Sequence, residues 1–347
     1  MSLMTARLLD TDDWSKRYRD ASVNLRTRQL LITNFVSSQQ EDDLSEPANC
    51  RGFGRVRHFH RQVPGWVSNP LPIDPAVAKL GLPPTDALEA QVFQNAACNW
   101  RCWYCYVPFS MLSANPRRSS WLSATELVDL YLAEVEPRRV IDLSGGQPDL
   151  VPEWVPWMMD ELTRRKLDSS VYLWSDDNLS VDYFWRFLSE DEISRVATYS
   201  NYGRVGCLKG FNESSFSFNT RAAPELFQRQ FELMRRFLES GIDMYGYVTL
   251  TTPTETGIAD DMARFCDRLQ RLDYYFPLRT VPLDIQVYGP VRQRLDPVKR
   301  LALAHQRRAL DRWLAELDQR FTSEERQWPI HKVPLARRPR VDIDAVH

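Results

Sequence analysis

From residue 90 onward, short apolar runs alternate with longer stretches of helical period. The runs at 140–143, 171–174, 205–208 and 244–250 read as strands. The segment 91–94 leads into a cysteine-rich loop, and 281–287 reads as a sixth strand. Between them, Ser123-Ala-Thr-Glu126 is a capping box that opens a helix running through Ala133. Further helices are expected around Trp154, Trp157, Met158 and Leu162, near 181–188, over 224–240 and 259–272, and finally over 297–317. Strands alternating with helices predict an α/β fold with a parallel sheet.

Residues 1–88 lack this rhythm. A polar acidic stretch at 37–46 is followed by a basic aromatic one from Arg51 to Arg61, then by Pro64, Pro70, Pro72, Pro75, Pro83 and Pro84. The proline-rich part can be neither a continuous helix nor a central strand. The whole segment therefore reads as an extended arm or lid over a catalytic body spanning 89–320. Residues 321–347, basic and proline-containing, read as a loose strap.

Composition narrows the class. The 347 residues are 43% hydrophobic, with eleven Trp and sixteen Phe, enough for a large core. A net charge of −2 gives no general attraction to nucleic acid or membrane. No apolar stretch approaches the roughly twenty residues of a membrane span, and residues 1–7 carry no apolar signal region. Reduced cysteines fit a cytoplasmic setting.

The chemistry is concentrated in Cys98-Asn-Trp-Arg-Cys102-Trp-Tyr-Cys105. Three thiolates within eight residues can wrap one face of a cuboidal iron–sulfur cluster, supplying three of the four ligands a [4Fe–4S] cluster normally takes. An iron left open can take a substrate or cofactor. A structural zinc site usually needs two ligand pairs, and no second Cys-x-x-Cys or Cys/His pair occurs. Cys50, Cys207 and Cys266 are isolated and read as small buried hydrophobes. A disulfide framework does not fit a chain this long with so few cysteines.

This spacing, with aromatic Tyr104 before the last cysteine, resembles the signature of the radical S-adenosylmethionine (radical SAM) superfamily. The resemblance implies a partial (βα)6 TIM-like barrel, one [4Fe–4S] cluster and SAM chelated to its open iron. It also implies an external one-electron reductant such as flavodoxin or ferredoxin, and a 5′-deoxyadenosyl radical that abstracts hydrogen. Ser144-Gly145-Gly146-Gln147-Pro148, straight after a strand, resembles the family's Gly-Gly-Glu-Pro motif, with Gln147 in place of glutamate. Trp174-Ser-Asp176-Asp177-Asn178 and Cys207-Leu208-Lys209-Gly210-Phe211 resemble segments of glycyl-radical-enzyme-activating proteins. The SAM site so implied is Tyr104, Gly145, Gly146, Gln147, Asp176 and Lys209, with Lys209 against the SAM carboxylate. Cys207 stands where that family has an aspartate. The resemblance covers about residues 90–290.

The substrate signal is thinner. Arg55, Arg57, His58, His60 and Arg61 form a basic segment suited to an anion or to a solvated surface. Asp284, Gln286 and Tyr288 alternate on the last predicted strand, so that Gln286 and Tyr288 are further substrate candidates. Three readings stay open: radical chemistry on an anionic small molecule such as a nucleotide or sugar phosphate, activation of a protein partner, and a non-catalytic iron–sulfur electron carrier.

Overall fold

The computed structural model describes residues 8–335. Residues 1–7, read above for a signal region, and 336–347 of the strap lie outside the described residues. The chain opens with α1 (Thr11–Ser22), whose N-terminus is capped by the Asp10 carboxylate accepting from the Asp13 amide. A short pair, β1 (Val23–Asn24) and β2 (Gln29–Thr33), follows, then β3 (Gly54–His60), α2 (Ile73–Leu80) and β4 (Ala87–Gln94). Strand β5 (Ser119–Ser123) pairs antiparallel with β2, forming a small sheet beside the main one.

Six βα-type steps build the body. They comprise α3 (Ala124–Leu132), β6 (Val140–Ser144), α4 (Trp154–Arg164), β7 (Tyr172–Asp177), α5 (Tyr183–Phe187) and α6 (Glu190–Thr198). Next come β8 (Tyr202–Leu208), α7 (Glu213–Thr220), α8 (Leu226–Glu239), β9 (Met244–Thr249) and α9 (Ile258–Leu272). Last are β10 (Thr280–Leu283), α10 (Gly289–Arg292) and α11 (Pro297–Arg320). The main sheet has seven strands in the order β10-β9-β8-β7-β6-β4-β3, parallel from β4 to β10, and it curls into a half-barrel. The predicted capping box is present: Ser123 and Glu126 satisfy each other's backbone amides at the start of α3.

Period-two alternation separates the two faces of this sheet. Phe59, Ala90, Val140, Tyr172, Trp174, Val205, Tyr245, Tyr247 and Val281 point into the barrel, where Leu71, Ile73 and Ala76 from the α2 region and Ile330 from the C-terminal segment plug its lower end. Ile141, Leu143, Leu173 and Val248 face outward against Met158, Phe231, Phe265 and Trp313 of the helical layer.

Three expectations change. Residues 54–60 are a seventh strand, β3, paired residue for residue with β4, so the basic segment is part of the sheet. The last strand ends at Leu283, and Asp284, Gln286 and Tyr288 follow it in a loop. With no further strand to pair with, Ile285 instead exchanges hydrogen bonds of 3.2 Å with the Gln306 side chain of α11. The helix expected near 181–188 is α5, and an unexpected second helix, α6, follows it. A second capping box, Ser189 with Glu192, restarts the chain and was the available signal.

Candidate functional site

The cysteine loop leaves the C-terminal end of β4, and the residues between its thiols are its anchors. Asn99 donates to Ser15 and Ser180 at 2.7 and 2.8 Å, and the Trp100 indole N–H donates to Thr11 at 3.0 Å. The Arg101 guanidinium, buried, ties Cys98 O (2.6 Å) and Trp100 O (2.9 Å) to the Tyr18 hydroxyl. From the other side, Arg294 donates to Cys105 O at 2.5 Å and Val107 O at 2.9 Å while stacking on Phe109. Helix α1 and the loop before α11 thus both fix the loop's path.

The three thiols line one cavity of about 260 Å³ at the barrel mouth. Two larger cavities, of about 780 and 920 Å³, contain no cysteine and lie against α1 and at the barrel's lower end. Among the described residues, the three sulfurs do not form a set with all ligand atoms within 4.8 Å, whereas Glu46, His58 and Glu89 do. One zinc ion with Zn–S bonds of about 2.3 Å would hold its sulfurs closer than about 4.6 Å. Thiols spread more widely on one wall fit a polynuclear cluster with each sulfur on a different iron. Burial pushes the Cys102 thiol up to about 12 and raises Cys105, with Lys209 opposing both shifts; coordination to metal would deprotonate them.

The paired glycines after β6 sit at φ of 74° and 63°. A Cβ on Gly146 would lie 2.4 Å from the carbonyl oxygens of both Asn95 and Ala97, and one on Gly145 would strike Gln94. These glycines let the strand end press against the cysteine loop, where the Gln147 amide donates to Ala97 O at 2.7 Å. The Gln147 side chain is fully buried and already engaged. Its Nε2 donates to Asp177 at 2.7 Å, and its Oε1 accepts from the Asn178 amide at 2.9 Å. Asp177 and Asp149 share the buried Arg204 guanidinium. Burial lifts Asp149 to about 7, with Arg204 pulling it down and Asp177 pushing it up.

In the same cavity, Asp176 accepts from the Ser144 hydroxyl at 2.6 Å, and its second oxygen has no partner among the described residues. Lys209 is half-buried, and its ammonium faces the thiols. Burial disfavours its charge, but Cys207, Tyr104, Cys102 and Cys98 raise its pKa well above the ordinary value. The Tyr104 hydroxyl accepts from Thr249 at 3.0 Å. Tyr104, Gly145, Gly146, Gln147, Asp176, Lys209, Gln286 and Tyr288 all line the thiol cavity.

The basic segment divides. Arg55, Arg57 and Phe59 alternate on the inner face of β3. His58 and His60 lie on the other face of the strand. Arg57 bonds Asp142 at 3.3 Å and lines the thiol cavity. His58 pairs with Glu46 and Glu89, an ion-pair network that Arg138 joins. Arg61 is held by Asp74 and Asp86, and it borders the cavity at the barrel's lower end. His58 and His60 border a separate chamber with Arg55.

Sequence reasoning missed Asp142, Tyr106 and Tyr247, and named Asn178 only as part of a segment. Asp142 had a signal: a carboxylate in the middle of the otherwise apolar run Val-Ile-Asp-Leu. It is fully buried, and burial, with Asp176 adding to it, lifts it to about 7 against the pull of Arg57. Asn178 points its amide at Cys98 Sγ, 3.9 Å away.

The half-barrel thus sets three thiols, paired glycines and a lysine around one cavity, the grouping that the sequence resemblance led one to expect, and the chain has one relative among characterised sequences. That relative is the 7-carboxy-7-deazaguanine synthase of Methanothermobacter thermautotrophicus, 24% identical over 217 residues, or 61% of this chain and 79% of the relative. No family model matches the chain. Among solved structures, Streptococcus suis SuiB bound to S-adenosylmethionine aligns at 16% identity and a TM-score of 0.44, over 65% of this chain and 46% of SuiB. The anSMEcpe structure with bound AdoMet aligns at 14% and 0.38, over 55% and 48%. TYW1 with a lysine–pyruvate adduct aligns at 12% and 0.38, over 64% and 72%. The chain thus spans under half the length of SuiB and anSMEcpe.

Proposed function

We propose that this enzyme uses a [4Fe–4S] cluster on Cys98, Cys102 and Cys105 to cleave SAM reductively and abstract hydrogen from an anionic small molecule. The observation that carries this reading is the gathering of the three thiols, Lys209 and Asp176 around one cavity. When bound, the cluster supplies the electron that splits SAM into methionine and a 5′-deoxyadenosyl radical.

The protein's own part is positioning. Lys209 is a compact cation suited to the SAM carboxylate. Asp176, hydrogen-bonded on one oxygen only, keeps an acceptor for an amino or hydroxyl group. Gln147 acts one layer back by holding Asp177 and Asn178. Tyr104 and Tyr247 wall the cavity and help exclude water from a radical. The electron would come from a flavodoxin- or ferredoxin-like donor in a cytoplasmic setting.

The activase reading keeps support from one feature, Lys209 in an activating-type segment. The covering loop 284–288 and the residues around Arg55 argue for a small substrate instead. The test is anaerobic reconstitution followed by EPR of the dithionite-reduced protein. SAM should shift the cluster signal, and Lys209→Ala should weaken SAM binding by about 1–3 kcal/mol, the range for a charge-assisted hydrogen bond. A signal indifferent to SAM would sink the reading.

A further inference from the structure

Arg55 is 6% exposed, yet among the described residues no carboxylate forms an ion pair with it. One of its Nη atoms donates to the Tyr106 hydroxyl at 3.1 Å, and the guanidinium lies 5.4 Å from the Tyr106 ring centre. Its Nε is buried with no partner. Asp142 feels both inner-face arginines but bonds Arg57 alone. A buried guanidinium with an idle donor and no carboxylate bonded to it is costly to hold. Proteins keep such a group where a ligand completes it.

The ligand's place is visible. Arg55 lines a chamber of about 320 Å³ together with Gln40, Arg57, His58, Tyr106 and Tyr288. Arg57, Tyr106 and Tyr288 also line the thiol cavity, so these three residues form the wall between the two spaces. Tyr106 and Tyr288 meet edge to face across it, with ring centres 6.4 Å apart. The acid in this lining, Asp43, accepts from the Gly289 amide. The histidine nearest the arginines, His58, is paired with Glu46 and Glu89. Asp43 is exposed, so the buried charge of this lining is the Arg55 guanidinium.

We infer that the side chamber at Arg55 is an oxyanion subsite that holds the substrate's phosphate or carboxylate group while its reacting carbon lies beyond Tyr106 in the thiol cavity. The inference rests on the radical SAM reading for the second half of that statement; the first half stands on Arg55 alone. The Arg55 fork can donate to two oxygens of one anion in a planar bidentate pair, as a lysine cannot. A substrate so held has its anionic handle about one tyrosine's width from the carbon attacked, which excludes simple uncharged metabolites.

The experiment titrates reconstituted holoenzyme, saturated with SAM so that Lys209 is occupied, with inorganic phosphate and separately with acetate by calorimetry. One anion per chain should bind, and Arg55→Gln should weaken it about 10- to 100-fold, the range for a lost charge-assisted pair. Arg55→Lys should recover part of the loss, and Arg61→Gln should change nothing. Preference for phosphate or for acetate assigns the handle. Iron content and SAM affinity, measured on the same samples, report separately on the radical SAM reading and on folding. Equal anion affinity in wild type and Arg55→Gln overturns the subsite, as does absence of binding by both anions in a protein that still binds SAM.

Discussion

Gln147 shows how one residue departs from a family motif for a local reason. The usual glutamate would set a third carboxylate against Asp177 and Asp149, which already share the single Arg204 charge. A glutamine donates to Asp177 and accepts from the Asn178 amide, so both ends are satisfied. Asp142 is the other residue whose environment has a measurable consequence. Its carboxyl titrates near 7 in the folded protein against an ordinary 3.8, chiefly because it is buried. A raised carboxyl means that the folded state holds the proton longer than the unfolded state. Its contribution is therefore most favourable below about pH 4 and is lost as pH rises through 7. Asp142→Asn should flatten the pH dependence of the urea midpoint between pH 4.5 and 7.5. An unchanged slope would mean that the carboxyl is already ionised in the fold.

At the scale of elements, the decisive contact is between the end of β6 and the cysteine loop. Gly146 lies at φ +63° with two carbonyl oxygens 2.4 Å from where a Cβ would stand. Gly146→Ala should cost about 1–3 kcal/mol of backbone strain and push the loop off its path. The variant is expected to fold, with normal far-UV circular dichroism, but to bind much less iron on reconstitution. Full iron loading would show that the loop is held by its other anchors alone.

The parallel strands were legible because they are short, apolar and separated by amphipathic helices. Strand β3 was not, because its inner-face positions 55 and 57 are arginines, so that hydrophobic alternation is replaced by functional residues. Similarly, 284–288 looked like the continuation of β10, since sequence cannot reveal that Gln306 takes over its backbone hydrogen bonds. The thiols, Lys209 and the glycines, singled out by motif, do line one cavity. Arg57 was found by charge, but its partner Asp142 needed the register of the sheet.

Across the whole molecule, residues 11–88 help to build the body. Strand β3 completes the sheet, α1 anchors the cysteine loop through Thr11, Ser15 and Tyr18, and α2 fills the lower barrel. The C-terminal segment closes the same end through Ile330 and the Val333 carbonyl, which accepts from Arg279 at 3.1 Å. Floor, wall and mouth are thus drawn from both ends of the chain, while the chemistry sits on the loops between. The most direct measurement is 5′-deoxyadenosine formed by reconstituted, dithionite-reduced protein incubated with SAM alone. Wild type should bind about four irons by cluster stoichiometry and release 5′-deoxyadenosine slowly, and the Cys98, Cys102 and Cys105 triple alanine variant should do neither. Iron-loaded wild-type protein that binds SAM yet forms no 5′-deoxyadenosine, with or without its anion, would contradict the account.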